Sequence, residues 1–255
     1  MKLHANIIGE GKPMLILHGF LGMGDNWKTL AKKYSELNFQ VHLIDQRNHG
    51  RSPHSDEFSY NLLSSDLLEY ITDHNLSGVV LLGHSMGGKT VMDFACKHPQ
   101  YIEKLIIADI APKYYAPHHQ VILDSLQALN FNEIQSRNDA EAILKNYIND
   151  AGTRMFLLKN LYRVEKNKFG LRINLKTLTD KVEEIGKGIF EGAEFTKPTL
   201  LLRGAYSDYV LDSDFEMIKK HFPNSEIKTV DKASHWLHAE NPKDFYDYSA
   251  NFINS

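Results

Sequence analysis

Residues 81–89 read LLGHSMGGK, and the fold turns on how that stretch is read. The branched aliphatic run VVLLG (79–83) ends at Gly83, and a helical pattern starts just past Ser85. A strand turning this abruptly into a helix would bring the side chains two before and two after Ser85 into collision. Glycines 83 and 87 occupy those places, and Gly88 clears another side chain from the helix's approach. Gly-x-Ser-x-Gly between a strand and a helix is a nucleophile elbow. The strained serine projects its hydroxyl outward, and the helix aims free N–H groups and its positive dipole end at the same point. Ser85 is the candidate nucleophile. The rival reading is a phosphate loop, because Lys89 follows two glycines. The P-loop spacing is absent, however, and Thr90 alone does not restore it.

Around this elbow, short aliphatic runs alternate with longer amphipathic ones. MLILH (14–18), VHLID (41–45), VVLLG, KLIIAD (104–109), TLLLRG (199–204) and EIKTV (226–230) read as strands buried on both faces. Helical patterns lie between them at NWKTLAKKYSEL, YNLLSSDLLEYITDH, KTVMDFACKHP, DFEMIKKHF and PKDFYDYSANFI. This alternation predicts an open, mostly parallel α/β sheet with helices on both faces, and KLHANIIG at the start adds an edge strand. From 113 to 190 the alternation breaks. Helix-like segments near 118–129, 138–149, 151–163 and 174–186 carry no buried strand, with Asn138 and Asn174 as N-caps. The stretch is too long for a loop. The expected organisation is a core over 1–112, a helical lid over 113–190, inserted before the last two strands, and the rest of the core over 191–255.

Composition narrows the function. The 255 residues are 42% hydrophobic with a net charge of −3, which favours neither nucleic acid nor an anionic membrane surface. The single Cys96 cannot form an intrachain disulfide and reads as a packing residue in a reducing compartment. The start MKLHANIIGEGKP lacks a signal-peptide pattern, and no apolar run reaches the roughly 20 residues that span a bilayer. The expectation is a cytoplasmic protein. No histidine or acid cluster has metal spacing, and no cofactor is expected.

A nucleophilic serine needs a base, an acid and donors for an oxyanion. The Met86 N–H directly follows the nucleophile, and HGFLG (18–22), at the end of MLIL, offers the Phe20 N–H as the second donor. The base belongs late in the chain. His235, in KASHWLHAENP, follows the last strand and two small residues, and so is preferred over its neighbour His238. His84 is read as packing beneath the elbow, and His18 and His49 as shaping the pocket floor and nearby loops. For the acid, two positions stand. Asp208 lies in RGAYSDYV (203–210), one residue later than the usual spacing after a strand-ending glycine, where Ser207 sits instead. Asp109 ends the strand after the nucleophile helix, and neighbouring parallel strand ends face one crevice.

With HGF, GHSMGG and the late histidine loop in order, the chain resembles an α/β-hydrolase over nearly its full length. DQRNHGRSPHS (45–55), paired with GHSMGGK, is similar to the YbfF-type bacterial esterases and their mitochondrial relatives. From the residues alone, Asp45, Arg47 and Arg51 read as tying loops together. The resemblance implies that Asp109 is the acid and that Ser207 hydrogen-bonds to it, with Asp208 as the alternative; Asp212 and Asp214 read as the cap of the next helix. It also implies a serine carboxylesterase acting on short to medium acyl esters, with acyl-CoA thioesters as a further substrate class. Lys113, Arg154 and Arg163 are cations that a phosphate could meet, although solvated helix faces explain them as well. The alternatives are other triad chemistry, such as C–C bond hydrolysis, or a non-catalytic ligand receptor on the same scaffold.

Overall fold

The computed structural model describes residues 1–166 and 168–255. The chain forms β1 (Ala5–Ile8), β2 (Lys12–Leu17), β3 (Phe39–Ile44), β4 (Val79–His84) and β5 (Ile102–Ala108). A hairpin follows, β6 (Leu161–Glu165) and β7 (Lys168–Leu171), and then β8 (Thr199–Gly204) and β9 (Ser225–Val230). All but the hairpin join one sheet in the order β1-β3-β2-β4-β5-β8-β9. Only β1 runs antiparallel, against β3. The expected strands, the edge strand included, are therefore present.

The aliphatic runs are continuous because each strand buries both faces. Leu15, Leu81, Leu105 and Ile107 point to one side, packed beneath Leu67, Val91, Phe94 and Phe222. Met14, Ile16, Leu82 and Ile106 point to the other, against Trp27, Leu30, Tyr34 and Phe245. The period of two along each strand thus serves two cores at once. The second face is covered by α1 (Lys28–Ser35) and the first by α2 (Tyr60–Asp73) and α3 (Met86–Lys97). Parallel register sets the strand ends side by side: Leu17 beside Gly83, His84 beside Ala108, and Ala108 beside Leu202. The loops leaving those ends open at one edge, which is where a doubly wound sheet binds ligands.

Between β5 and β8 come α4 (Gln120–Gln127), α5 (Arg137–Lys145), α6 (Ala151–Leu158), the hairpin, α7 (Leu175–Asp180) and α8 (Val182–Gly186). Their apolar faces, including Leu126, Leu144 and Leu157, form a third core that reaches down to Phe20, Leu21 and Met86. Two expectations need correction here. The helix read over 151–163 stops at Leu158, and residues 161–165 form β6. The cap of α5 is Ser136, not Asn138: its hydroxyl accepts from Asp139 N, and the Asp139 carboxylate returns to Ser136 N at 2.8 Å, a reciprocal box. Asn174 caps α7 as expected. The chain closes with α9 (Phe215–His221), α10 (Leu237–Glu240) and α11 (Pro242–Asn254). Asp214 takes the N-cap position of α9, although its carboxylate accepts from Leu211 N.

Candidate active site

Ser85 joins β4 to α3 with φ 53° and ψ −117°, a region that a residue with a side chain occupies only when its surroundings force it. The surroundings do so through the flanking glycines. A Cβ on Gly83 would lie 2.2 Å from the Gly87 carbonyl oxygen, and one on Gly87 would lie 2.4 Å from that of Leu17. The turn leaves Ser85 partly exposed between the buried His84 and Met86.

His235 meets it from the loop after β9. Its Nε2 lies 2.9 Å from Ser85 Oγ, and its Nδ1 lies 2.8 Å from Asp109 Oδ2. Asp109 is fully buried at the end of β5, also with positive φ (49°). Three donors converge on its carboxylate: the His235 ring, the Ser207 hydroxyl and, at 3.0 Å, Gly204 N. Asp208 lies exposed one residue further on, outside this network. The imidazole is held flat as well. Tyr209 stacks on it at 3.7 Å and 14°, and His84 lies behind it, bonded through Nε2 to the His235 carbonyl at 2.8 Å. Sequence reasoning placed His84 beneath the elbow; the bond to the His235 backbone is an additional finding. The rival His238 is half-buried and stacked on Trp27 at 4.1 Å, and desolvation pulls it down to about 3. It does not reach Ser85 Oγ.

The Phe20 and Met86 amides donate to no protein acceptor among the described residues. The turn carrying Phe20 is pinned through its neighbour Leu21 (φ 59°). Leu21 N donates to His49 Nε2 at 3.2 Å, and Leu21 O accepts from Asn160 Nδ2 at 2.8 Å. His49 in turn donates from Nδ1 to Arg47 O at 2.8 Å, and burial holds the ring neutral, with its pKa near 3. His18 is fixed the same way, accepting from Gln46 N and donating to Gly19 O, and burial pulls it to about 4. Asn48 accepts from Ser55 N and from Asn174 of the insertion. The Asn48–His49 pair thus braces the Phe20 turn and the insertion. Arg47 makes a bidentate pair with Asp66, at 2.6 and 2.9 Å, as a loop tie. Asp45 accepts from the amides of Gly24 and Arg51.

A cavity of about 430 Å³ opens beside Ser85 and His235, walled by Leu21, Trp27, Ile122, Phe156 and Trp236. None of the three cations considered for phosphate lines it. Lys113 pairs with Asp214 at 2.6 Å, Arg154 is buried on the carbonyls of Ile148 and Asn149, and Arg163 bonds Lys166 O. Arg154 is therefore not on a solvated face either. Lys89 is another residue whose role the sequence did not announce. Fully buried in α3, its ammonium bonds the carbonyls of Lys113 and Lys187 at 2.5 Å each. Those carbonyls flank the two ends of the insertion, and burial brings the amine down to about 7. Burial pushes the half-buried Cys96 thiol up to about 12, in keeping with a packing role. Among the described residues no group of His, Cys, Asp and Glu side chains could hold a metal ion, and no helix is long and apolar enough to cross a membrane.

The constellation has relatives. Residues 12–242 match the family described as alpha/beta hydrolase fold. The chain is 36% identical to mouse sn-1-specific diacylglycerol lipase ABHD11, across 94% of this chain and 80% of that one. It is 31% identical to esterase YbfF of Escherichia coli, covering 91% and 89%. A solved structure of a marine microorganism esterase superposes with TM-score 0.94 at 42% identity, over 98% of this chain and 99% of that one. The chain belongs to the α/β-hydrolase fold family, in the branch that includes esterase YbfF.

Proposed function

We propose that this chain is a serine carboxylic-ester hydrolase for short to medium acyl esters. The observation that carries the reading is the unbroken hydrogen-bonded chain from Ser85 Oγ through His235 to the buried Asp109. The esterase and lipase names of the relatives support the same reaction class.

Ser85 Oγ attacks the acyl carbonyl while His235 Nε2 takes its proton. The carbonyl oxygen, now negative, takes the Phe20 and Met86 N–H groups, and the positive end of α3 favours it further. Asp109 holds the Nδ1–H tautomer and stabilises the imidazolium, and Ser207 holds Asp109. His235 then protonates the departing oxygen, and water, deprotonated by the same ring, releases the acyl group from Ser85. Residues 113–190 act as a lid over this edge of the core formed by 1–112 and 191–255. The reaction needs no cofactor, and its setting is the cytoplasm. Thioesters share the electrophile, so acyl-CoA substrates fall within reach of the chemistry, although the three cations first considered for their phosphates lie outside the cavity wall.

Incubation with a fluorophosphonate, followed by intact mass and peptide mapping, is expected to put one adduct on Ser85 and none on Ser85→Ala. A folded protein that stays unlabelled, or labels elsewhere, would contradict the reading.

A further inference from the structure

Ser85 faces two cavities of very different size. Beside the 430 Å³ space lies a second of about 20 Å³, bounded by Tyr60, Met86, Ile110, Tyr115 and Ile185. Ser85, His118, His119 and Tyr209 touch both and form the partition. That partition is built rather than incidental. His118 bonds the Tyr209 hydroxyl at 2.5 Å, and His119 packs edge-on against Phe20 at 4.9 Å.

We infer that the small cavity takes the acyl substituent and the large one the leaving group, so that the preferred substrates are short-acyl esters of bulky apolar alcohols. The inference rests on the ester-hydrolase reading above and deepens it. The carbon bonded to Ser85 carries three other groups in the tetrahedral intermediate. Its oxyanion lies toward the Phe20 and Met86 amides. The departing oxygen lies toward His235 Nε2, which supplies its proton as the acyl C–O bond breaks. His235 and the residues after it, Trp236 and His238, line the large cavity, and His235 does not touch the small one. The alcohol portion therefore extends into the large cavity. The acyl substituent is left with the space beside Met86. A volume of 20 Å³ is little more than one water-sized group needs, enough for a methyl and far too little for an alkyl chain. The walls are packed: Ile110 backs onto Gly88, where even a Cβ would lie 2.4 Å from its Cγ2, and the Tyr60 hydroxyl is tied to Ile185 O at 2.8 Å. The large cavity, walled by Trp27, Phe156 and Trp236, suits an apolar alcohol.

Two isomeric esters test the assignment, octyl acetate and ethyl octanoate, which hold the same atoms with the long chain on opposite sides of the carbonyl. Hydrolysis of each is followed by proton release at constant pH. A hydrophobic pocket discriminates by roughly tenfold or more per misplaced methylene, so octyl acetate is expected to exceed ethyl octanoate in kcat/KM by at least about tenfold. Ile185→Ala, which opens the small cavity, is expected to narrow that ratio by raising the octanoate rate. Ile110→Val serves if the first variant fails to fold. Equal rates, or faster ethyl octanoate, would overturn the assignment while leaving the hydrolase reading intact. Turnover of neither ester would overturn the hydrolase reading and the assignment with it.

Discussion

At the residue scale the position of the acid organises the site. Asp109 is buried, accepts three hydrogen bonds and touches the Nδ1 side of the ring that touches Ser85. In the proposed mechanism Ser207 stands where an acid usually sits and bonds instead to Asp109, supplied by the neighbouring strand. A hydrogen bond to a charged group is worth about 1.5–3 kcal/mol. Ser207→Ala is thus expected to lower kcat by between about 10- and 100-fold without changing the fold; steady-state kinetics with circular dichroism checks both, and an unchanged kcat would remove Ser207 from the network. Ser85 and His235 were legible from local pattern, since glycine spacing and a late loop histidine constrain them directly. For the proposed acid the sequence left two alternatives, Asp109 and Asp208. Residue 109 ends a strand-like run and residue 208 follows one by four positions, and what separates them is the adjacency of β5 and β8, a long-range fact. His49 and Asn160 were not legible at all in their bracing role, because nothing local marks a side chain that will meet Leu21 across the site.

At the element scale, the sheet was readable because strands buried on both faces are continuous aliphatic runs, and their order follows from short crossovers. The β6–β7 hairpin escaped because LYRVE buries only its first residue and shows no alternation, so it reads as an extension of the helix before it. The cap of α5 was misplaced by two residues because Asn138 is a good capping residue, and the reciprocal bonds of Ser136 and Asp139 outcompete it. Lys89 links the nucleophile helix to both ends of the insertion through two carbonyls. Stranding a buried acceptor costs about 1–3 kcal/mol, so Lys89→Met is expected to loosen the insertion where it joins the core. Hydrogen exchange would show faster amides near 112–118 and 185–190, with the β4 and β5 amides unaltered. Unchanged exchange at both junctions would mean that Lys89 is only a packing residue.

For the whole molecule, buried neutral histidines set the acid limit of stability. His18 and His49 each accept an amide hydrogen bond on one ring nitrogen, which a doubly protonated ring cannot do. Burial depresses His18 to about 4 and His49 and His238 to about 3, against an unfolded value of 6.5. Between those limits the unfolded chain binds protons that the folded one does not. The stability they contribute is therefore complete above pH 6.5 and is lost as the pH falls through the folded values. Each group removes about 1.4 kcal/mol per pH unit across that window. Urea unfolding at pH 7 and pH 5 is expected to show this loss, and His238→Phe to reduce its slope by one group's share; a flat profile would contradict it. The same molecule must also deliver the chemistry, and the most direct test compares p-nitrophenyl acetate turnover by the wild type, Ser85→Ala, Asp109→Asn and Asp208→Asn. Loss of the acid that fixes the histidine tautomer costs on the order of 10³–10⁴ in kcat. The expected result is collapse of Ser85→Ala and Asp109→Asn, with Asp208→Asn near wild type; collapse of Asp208→Asn with an active Asp109→Asn, or a wild type without turnover, would contradict the Ser85–His235–Asp109 mechanism.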